Sequence, residues 1–155
     1  MFVLVRHAHA GDKSKWPGRD IDRTLSTFGY RQARGLVATL EQFELRALFS
    51  SPAIRCRETL LPLAAARGLR IDDDRLLAPD ASPSELFAEL EGSSADGALF
   101  CTHGEVLDAL AEFARLRGWT CMTPVAMTPK GGAWIVDRGA VSALTLRYLP
   151  PVSTG

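Results

Sequence analysis

No stretch of this 155-residue sequence approaches the roughly 20 consecutive apolar residues of a membrane span, and the opening run Phe2–Val5 is too short for a signal-peptide core. Net charge is absent as well. Eighteen basic residues balance eighteen acidic ones, which argues against bulk nucleic-acid binding, since that normally shows a basic excess. Cysteine is scarce and unpatterned (Cys56, Cys101, Cys121), so a reducing cytoplasm is expected rather than a disulfide-bearing compartment. None of the three begins a Cys-x5-Arg loop, which removes a cysteine phosphatase. Neither Gly-x4-Gly-Lys-[Ser/Thr] nor Gly-x-Gly-x-x-Gly occurs, and there is no internal repeat. What remains is an ordinary globular profile, 46% hydrophobic and 23% charged, expected to form one domain over 1–150 with a short tail at 151–155.

Within that profile, short β-branched or apolar runs alternate with helical patterns. Phe2–Val5 reads as a strand buried on both faces, ending at Arg6-His7. The polar stretch Gly11–Thr24 has loop composition, with Lys13, Lys15, Arg19 and Arg23 around Trp16-Pro17-Gly18. Ser26 is placed to cap a helix to about Phe43, with Ala33, Leu36, Val37 and Leu40 on one stripe. Leu45–Ser50 is the second strand, and Ser51-Pro52 reads as cap and first residue of a helix that Pro62 should kink or break and Gly68 should end. Leu69–Ile71 is a weak strand, Pro79–Pro83 a loop and Ser84–Leu90 a short helix. Ala98–Thr102 is a buried strand before His103-Gly104-Glu105 and a helix to about Arg117. Gly118–Gly131 looks irregular, and Ala133–Asp137 with Val141–Tyr148 alternates as a hairpin about Arg138-Gly139. The expectation is an α/β three-layer sandwich: a mainly parallel central sheet with an antiparallel edge hairpin and helices on both faces.

Three of these strands end in polar groups: Arg6-His7, Ser51-Pro52 with Arg55 one turn on, and His103. Carboxyl ends of parallel strands share one edge, where ligands collect. Two guanidiniums and two imidazoles there suit a phosphoryl group, because arginine forks match its oxygens. Together with Leu25-Ser26-x-x-Gly29-x-x-Gln32-Ala33, Ser50-Ser51-Pro52-x-x-Arg55-x-x-x-Thr59 and Thr102-His103-Gly104, this quartet resembles the histidine phosphatase superfamily, also called phosphoglycerate mutase-like. The Arg6-His7-Ala8-x-Ala10 form resembles its small phosphohistidine-phosphatase branch. Gly11-Asp12-Lys13, Trp16-x-Gly18 and Asp22-Arg23-x-Leu25 also resemble the phosphatase domain fused to some Nudix hydrolases. The resemblance implies a cofactor-free, metal-free phosphatase. His7 would become phosphohistidine, and Arg6, Arg55 and His103 would hold the phosphoryl oxygens. The substrate would be a phosphorylated small molecule or a phosphoprotein, with no nucleic-acid or membrane partner.

The acid that protonates the leaving group has two candidates, Glu105 in the turn after His103 and Asp80 in the loop after the third strand, with Glu85 behind it; Glu105 is slightly preferred. Substrate contacts are expected from Arg23 and Gly104, and from Lys13 and Trp16 if these are not simply solvated or packed in their loop. Ala8 stands where the family usually has glycine. Two other classes compete. His7, His9 and His103, the only histidines, could bind zinc, or the pocket could be a phosphate-binding module without turnover.

Overall fold

The computed structural model describes residues 1–139 and 144–154. Seven strands form one mixed sheet: β1 (Phe2–Arg6), β2 (Ala47–Ser50), β3 (Ile71–Asp73), β4 (Ala98–Thr102), β5 (Thr120–Cys121), β6 (Ala133–Arg138) and β7 (Leu144–Leu149), in the order β3-β2-β4-β1-β6-β7-β5. β3, β2, β4 and β1 run parallel, with Leu48 opposite Leu99 and Leu4 opposite Phe100. β6 lies antiparallel to both β1 and β7. The hairpin is therefore present but is not the edge itself, because the two-residue β5 pairs in parallel outside β7. The start of its second strand, expected at Val141, falls outside the described residues.

Four helices cover the sheet: α1 (Thr27–Thr39), α2 (Ile54–Arg67), α3 (Pro83–Glu91) and α4 (Gly104–Leu116). The alternation of β1 decides which packs where. Val3 and Val5 join Leu48, Leu99 and Ile135 against Leu36, Leu60 and Leu63 of α1 and α2. Phe2 and Leu4 face the other way, onto Leu86 and Phe87 of α3 and Val106, Leu107 and Leu110 of α4. Burying each such side chain contributes about 1.5–3 kcal/mol, so the four apolar residues of β1 tie both layers together. The sandwich expected from the sequence is the one found. No helix among the described residues is long and apolar enough to cross a membrane.

Some boundaries differ. α1 stops at Thr39 rather than near Phe43: Thr39 Oγ1 bonds back to the Gly35 carbonyl and Glu41 N–H reaches Ala38 O, which tightens and ends the last turn. Pro62 does not break α2, which runs on to Arg67. An interior proline costs about 3 kcal/mol, but Leu60 and Leu63 flank it with no exposed surface, and their burial offsets that cost. α2 begins at Ile54 with Ala53 as its uncapped first flank, so Ser51 is not the cap that the Ser-Pro pair suggested. α3 starts at Pro83, one residue early, with Ser82 Oγ accepting from Glu85 N–H.

Candidate active site

The parallel strands deliver three of the expected groups to one edge. His7 follows β1, Arg55 is the second residue of α2 after β2, and His103 follows β4 as the N-terminal flank of α4. All three are buried. His7 Nδ1–H donates to the Ala8 carbonyl (2.8 Å), which leaves Nε2 with its lone pair, and Arg55 Nε–H approaches that nitrogen at 3.4 Å. Arg55 Nη2 also lies 3.2 Å from His103 Nδ1, a contact in which only the guanidinium can donate. His103 Nε2 is then free to donate to Ser51 Oγ (2.8 Å). The two imidazoles stand edge to face, with ring centroids 5.5 Å apart. Ser51 thus supports His103, a role its place in an apparent helix cap concealed.

Burial drives the His7 pKa down to about 3; the Ala8 hydrogen bond opposes this, and the nearby charges of Arg55, His103 and Arg6 add to it. The imidazole is therefore neutral near pH 7, as an attacking nitrogen must be. Between about pH 6.5 and 3 the unfolded chain takes up a proton here that the folded chain refuses, so stability falls as pH falls through that window. At pH 4.5 the penalty is about 2–3 kcal/mol. Denaturant melts of wild type and His7→Gln at pH 7 and pH 4.5 are expected to show the variant losing less stability on acidification. Equal losses would mean that His7 takes up its proton normally.

The motif residues around the quartet are scaffold. Thr59 Oγ1 accepts from Ala8 N–H (2.9 Å) and donates to Arg55 O (2.7 Å), coupling the loop after β1 to α2. Gln32 Oε1 accepts from His9 N–H (2.9 Å) while its Nε2 donates to Lys130 O (3.1 Å). Gly29 lets α1 approach that loop, since a Cβ there would meet His9 O at 1.9 Å. Gly104 serves Arg6 similarly: a Cβ would stand 2.8 Å from Arg6 Cζ, so glycine makes room for the guanidinium rather than touching a ligand through a side chain. Arg6 donates from Nη1 to Thr128 O (2.7 Å), while its buried Nε has no partner among the described residues, an unused donor within the quartet.

A cavity of about 650 Å³ opens beside these groups, lined among others by Arg55, His103, Ser51, Arg75, Asp80 and Glu85. Asp80 therefore faces it, whereas Glu105 is exposed on α4 and is not among its lining residues. Of the two acid candidates it is thus Asp80, and not the slightly preferred Glu105, that stands on the cavity wall. Arg23 is buried and belongs to the cluster: Nη1 donates to Ala10 O (2.9 Å) and Nε to Asp20 Oδ1 (3.0 Å). Lys13 is exposed and Trp16 donates Nε1–H to Arg19 O within its own loop (3.0 Å); neither lines the cavity, so Trp16 packs its loop. His9 does not join the other histidines: its Nδ1 contacts Ser26 Oγ at 2.6 Å and its ring lies against Phe28. Among the described residues no three His, Cys, Asp or Glu side chains are grouped to hold a metal, which leaves the three-histidine zinc reading without a site.

Two residues were not singled out from the sequence. Asp20, in a short turn over the site, takes Arg55 Nη2 on Oδ2 (3.0 Å) and Arg55 Nη1 on its carbonyl (2.8 Å). Burial pushes its carboxyl upward, but the Arg23 hydrogen bond and the charges of Arg55, Arg23 and Lys13 hold it below its ordinary value. Lys130, in the segment before β6, has its pKa lowered by burial and by Arg6, Arg23 and Arg55, which marks it as a further cation of the same cluster.

The profile of the histidine phosphatase superfamily (branch 1) matches residues 2–78, which take in His7 and Arg55 and stop before His103. An 8-oxo-(d)GTP phosphatase of Mycolicibacterium smegmatis is 30% identical over 159 aligned residues, 96% of this chain and 48% of that protein, so the chain spans about half that relative's length. The SixA protein of Agrobacterium tumefaciens superposes with TM-score 0.71 at 20% identity over 99% of this chain and 97% of its own. Protein histidine phosphatase SixA in its tungstate complex superposes with TM-score 0.67 at 19% identity, over 98% and 96% of the two chains. Fold, strand-end quartet and sequence likeness agree, and the chain belongs to the histidine phosphatase superfamily.

Proposed function

We propose that this chain is a phosphatase that needs no metal and works through a phosphohistidine on His7. One observation carries the reading: a buried, neutral His7 whose Nδ1 is spent on Ala8 O and whose Nε2 lone pair meets the Arg55 guanidinium, with the charge of Arg6 nearby. In the first step Nε2 attacks phosphorus and the bond to the leaving oxygen breaks. Arg6, Arg55 and His103 hold the equatorial oxygens, where charge spreads in the transition state. Asp80, on the cavity wall, gives its proton to the leaving oxygen. In the second step a water loses a proton to Asp80 and attacks phosphorus, releasing phosphate and His7. Splitting one displacement in two lowers each barrier. The cationic cluster of Arg6, Arg23, Arg55 and Lys130 favours a dianion and repels a divalent metal.

The cavity is far larger than a phosphoryl group, which suits a phosphorylated small molecule such as a nucleotide, or a phosphohistidine on a protein. The likeness to an 8-oxo-(d)GTP phosphatase supports the first and the fold shared with SixA the second. A panel of nucleotides and a phosphohistidine protein, assayed with a strong chelator present, tests the reading. Turnover is expected to survive chelation, and rapid acid-free quenching is expected to trap phosphate on His7. A protein that binds phosphate but turns over nothing would instead be a silent module, and activity restored only by zinc would revive the metal reading.

The acid assignment has its own test. Asp80→Asn is expected to lose about 10²–10⁴-fold on an alkyl phosphate and little on an aryl phosphate whose phenol leaves unaided. Glu105→Gln is expected to stay near wild type on both. A selective loss in Glu105→Gln would return the role to that residue.

A further inference from the structure

Arg55 has little left to offer a substrate in this structure. Its Nε–H points at His7 Nε2 (3.4 Å), Nη1 donates to the Asp20 carbonyl (2.8 Å), and Nη2 is divided between Asp20 Oδ2 (3.0 Å) and His103 Nδ1 (3.2 Å). The other oxygen of the same carboxylate takes Nε of Arg23 (3.0 Å). One carboxylate thus bridges two buried arginines, as a phosphoryl group's oxygens would. The nitrogen meant to attack is covered at the same time, since His7 is only 5% exposed and does not line the cavity, while Asp20, Arg55 and His103 do.

We infer that Asp20 is an internal anion that occupies the arginine clamp at rest and is replaced there by the substrate's phosphoryl group. The inference rests on the phosphatase reading and extends it to a residue that reading does not use. Two features make the exchange feasible. The Asp20 side chain is 37% exposed, against 5% and 8% for those of Arg55 and Arg23, so its carboxylate can turn into solvent while the arginines stay. Its backbone carbonyl holds Arg55 Nη1 independently of the carboxylate, so the guanidinium keeps its place during the swap. A dianion entering the cavity then takes over Nη2 and the Arg23 contact. Asp20 acts through the arginines and is a positioning residue, not a catalytic one.

The test is the affinity of wild type, Asp20→Asn and Asp20→Ala for inorganic phosphate and for vanadate by titration calorimetry, with KM and kcat on p-nitrophenyl phosphate alongside. Removing an internal competitor is expected to tighten both anions roughly tenfold and to lower KM by a similar factor, the gain being held down by the carboxylate's partial exposure. Asparagine keeps the size and an accepting oxygen, so it separates charge from shape. A residue that merely braced Arg55 would give the opposite pattern, weaker phosphate binding and lower kcat. Unchanged or weaker anion binding in both folded variants, with wild-type turnover intact, overturns the inference and leaves the phosphatase reading standing. A wild type that neither binds phosphate nor turns over p-nitrophenyl phosphate overturns that reading first.

Discussion

Alanine at position 7 is expected to lower kcat by at least roughly 10⁴-fold, because a covalent mechanism has no second route once its nucleophile is gone. The fold should survive. His7 makes few tertiary hydrogen bonds, its ring touching the neighbouring carbonyl and Arg55, and it joins none of the apolar clusters. Phosphate affinity should persist as well, since Arg6, Arg23 and Arg55 remain, and His7→Asn should retain it with a ring-sized cavity partly filled. The measurement is single-turnover and steady-state hydrolysis of an aryl phosphate, beside a thermal melt. Near-wild-type rates in a folded His7→Ala protein would sink the proposal outright, and a protein that has lost both activity and its melting transition would be read through the asparagine variant instead.

Arg55→Ala comes next in size. Losing one preorganised donor to transition-state charge costs about 10²–10³-fold in rate, and hydrogen bonds to charged groups contribute about 1.5–3 kcal/mol each. This arginine does more than donate. It faces His7 Nε2 and His103 Nδ1 and anchors the turn carrying Asp20, so its loss also frees two ring orientations. The decline is therefore expected at or beyond the upper end of that range. Arg55→Lys should recover only part, because a single ammonium cannot address both imidazoles and a phosphoryl oxygen from one plane. A lysine variant with full kcat and KM would mean that diffuse positive charge suffices at this position.

How far the sequence could be read is clearest from particular residues. Arg6, His7, Arg55 and His103 were legible because each follows an apolar run at a fixed offset, and parallel strands bring such ends together whatever their separation. Asp20 was hidden by its surroundings: a loop holding four basic residues reads as solvated, and nothing local says that two arginines from elsewhere need an anion there. Buried guanidiniums require partners, but that requirement alone does not choose Asp20 over Asp12 or Asp22 in the same loop. Lys130 sat in a segment without periodicity, and only the antiparallel pairing of β6 with β1 brings it to the site. Ser51 and Pro62 depart from expectation through contacts that local preference does not contain. Local preference named a cap and a kink or break; the Ser51 hydroxyl is taken by His103, and burial of Leu60 and Leu63 keeps α2 unbroken through Pro62.

The position of β4 bears on how the protein comes to exist at all. It lies between β1 and β2, which have no ladder with each other. During synthesis the chain therefore carries β1 unpaired until residues 98–102 arrive, and before then only β2 and β3 have a partner to hand. An apolar strand with open edges invites pairing with other chains. The insertion also puts contacts distant in sequence at the centre of the sheet, and these carry a loop-closure cost before the sheet rewards them. His7 and Arg55 are synthesised early and His103 late, so the three can meet only once β4 has been made and has entered the sheet between β1 and β2.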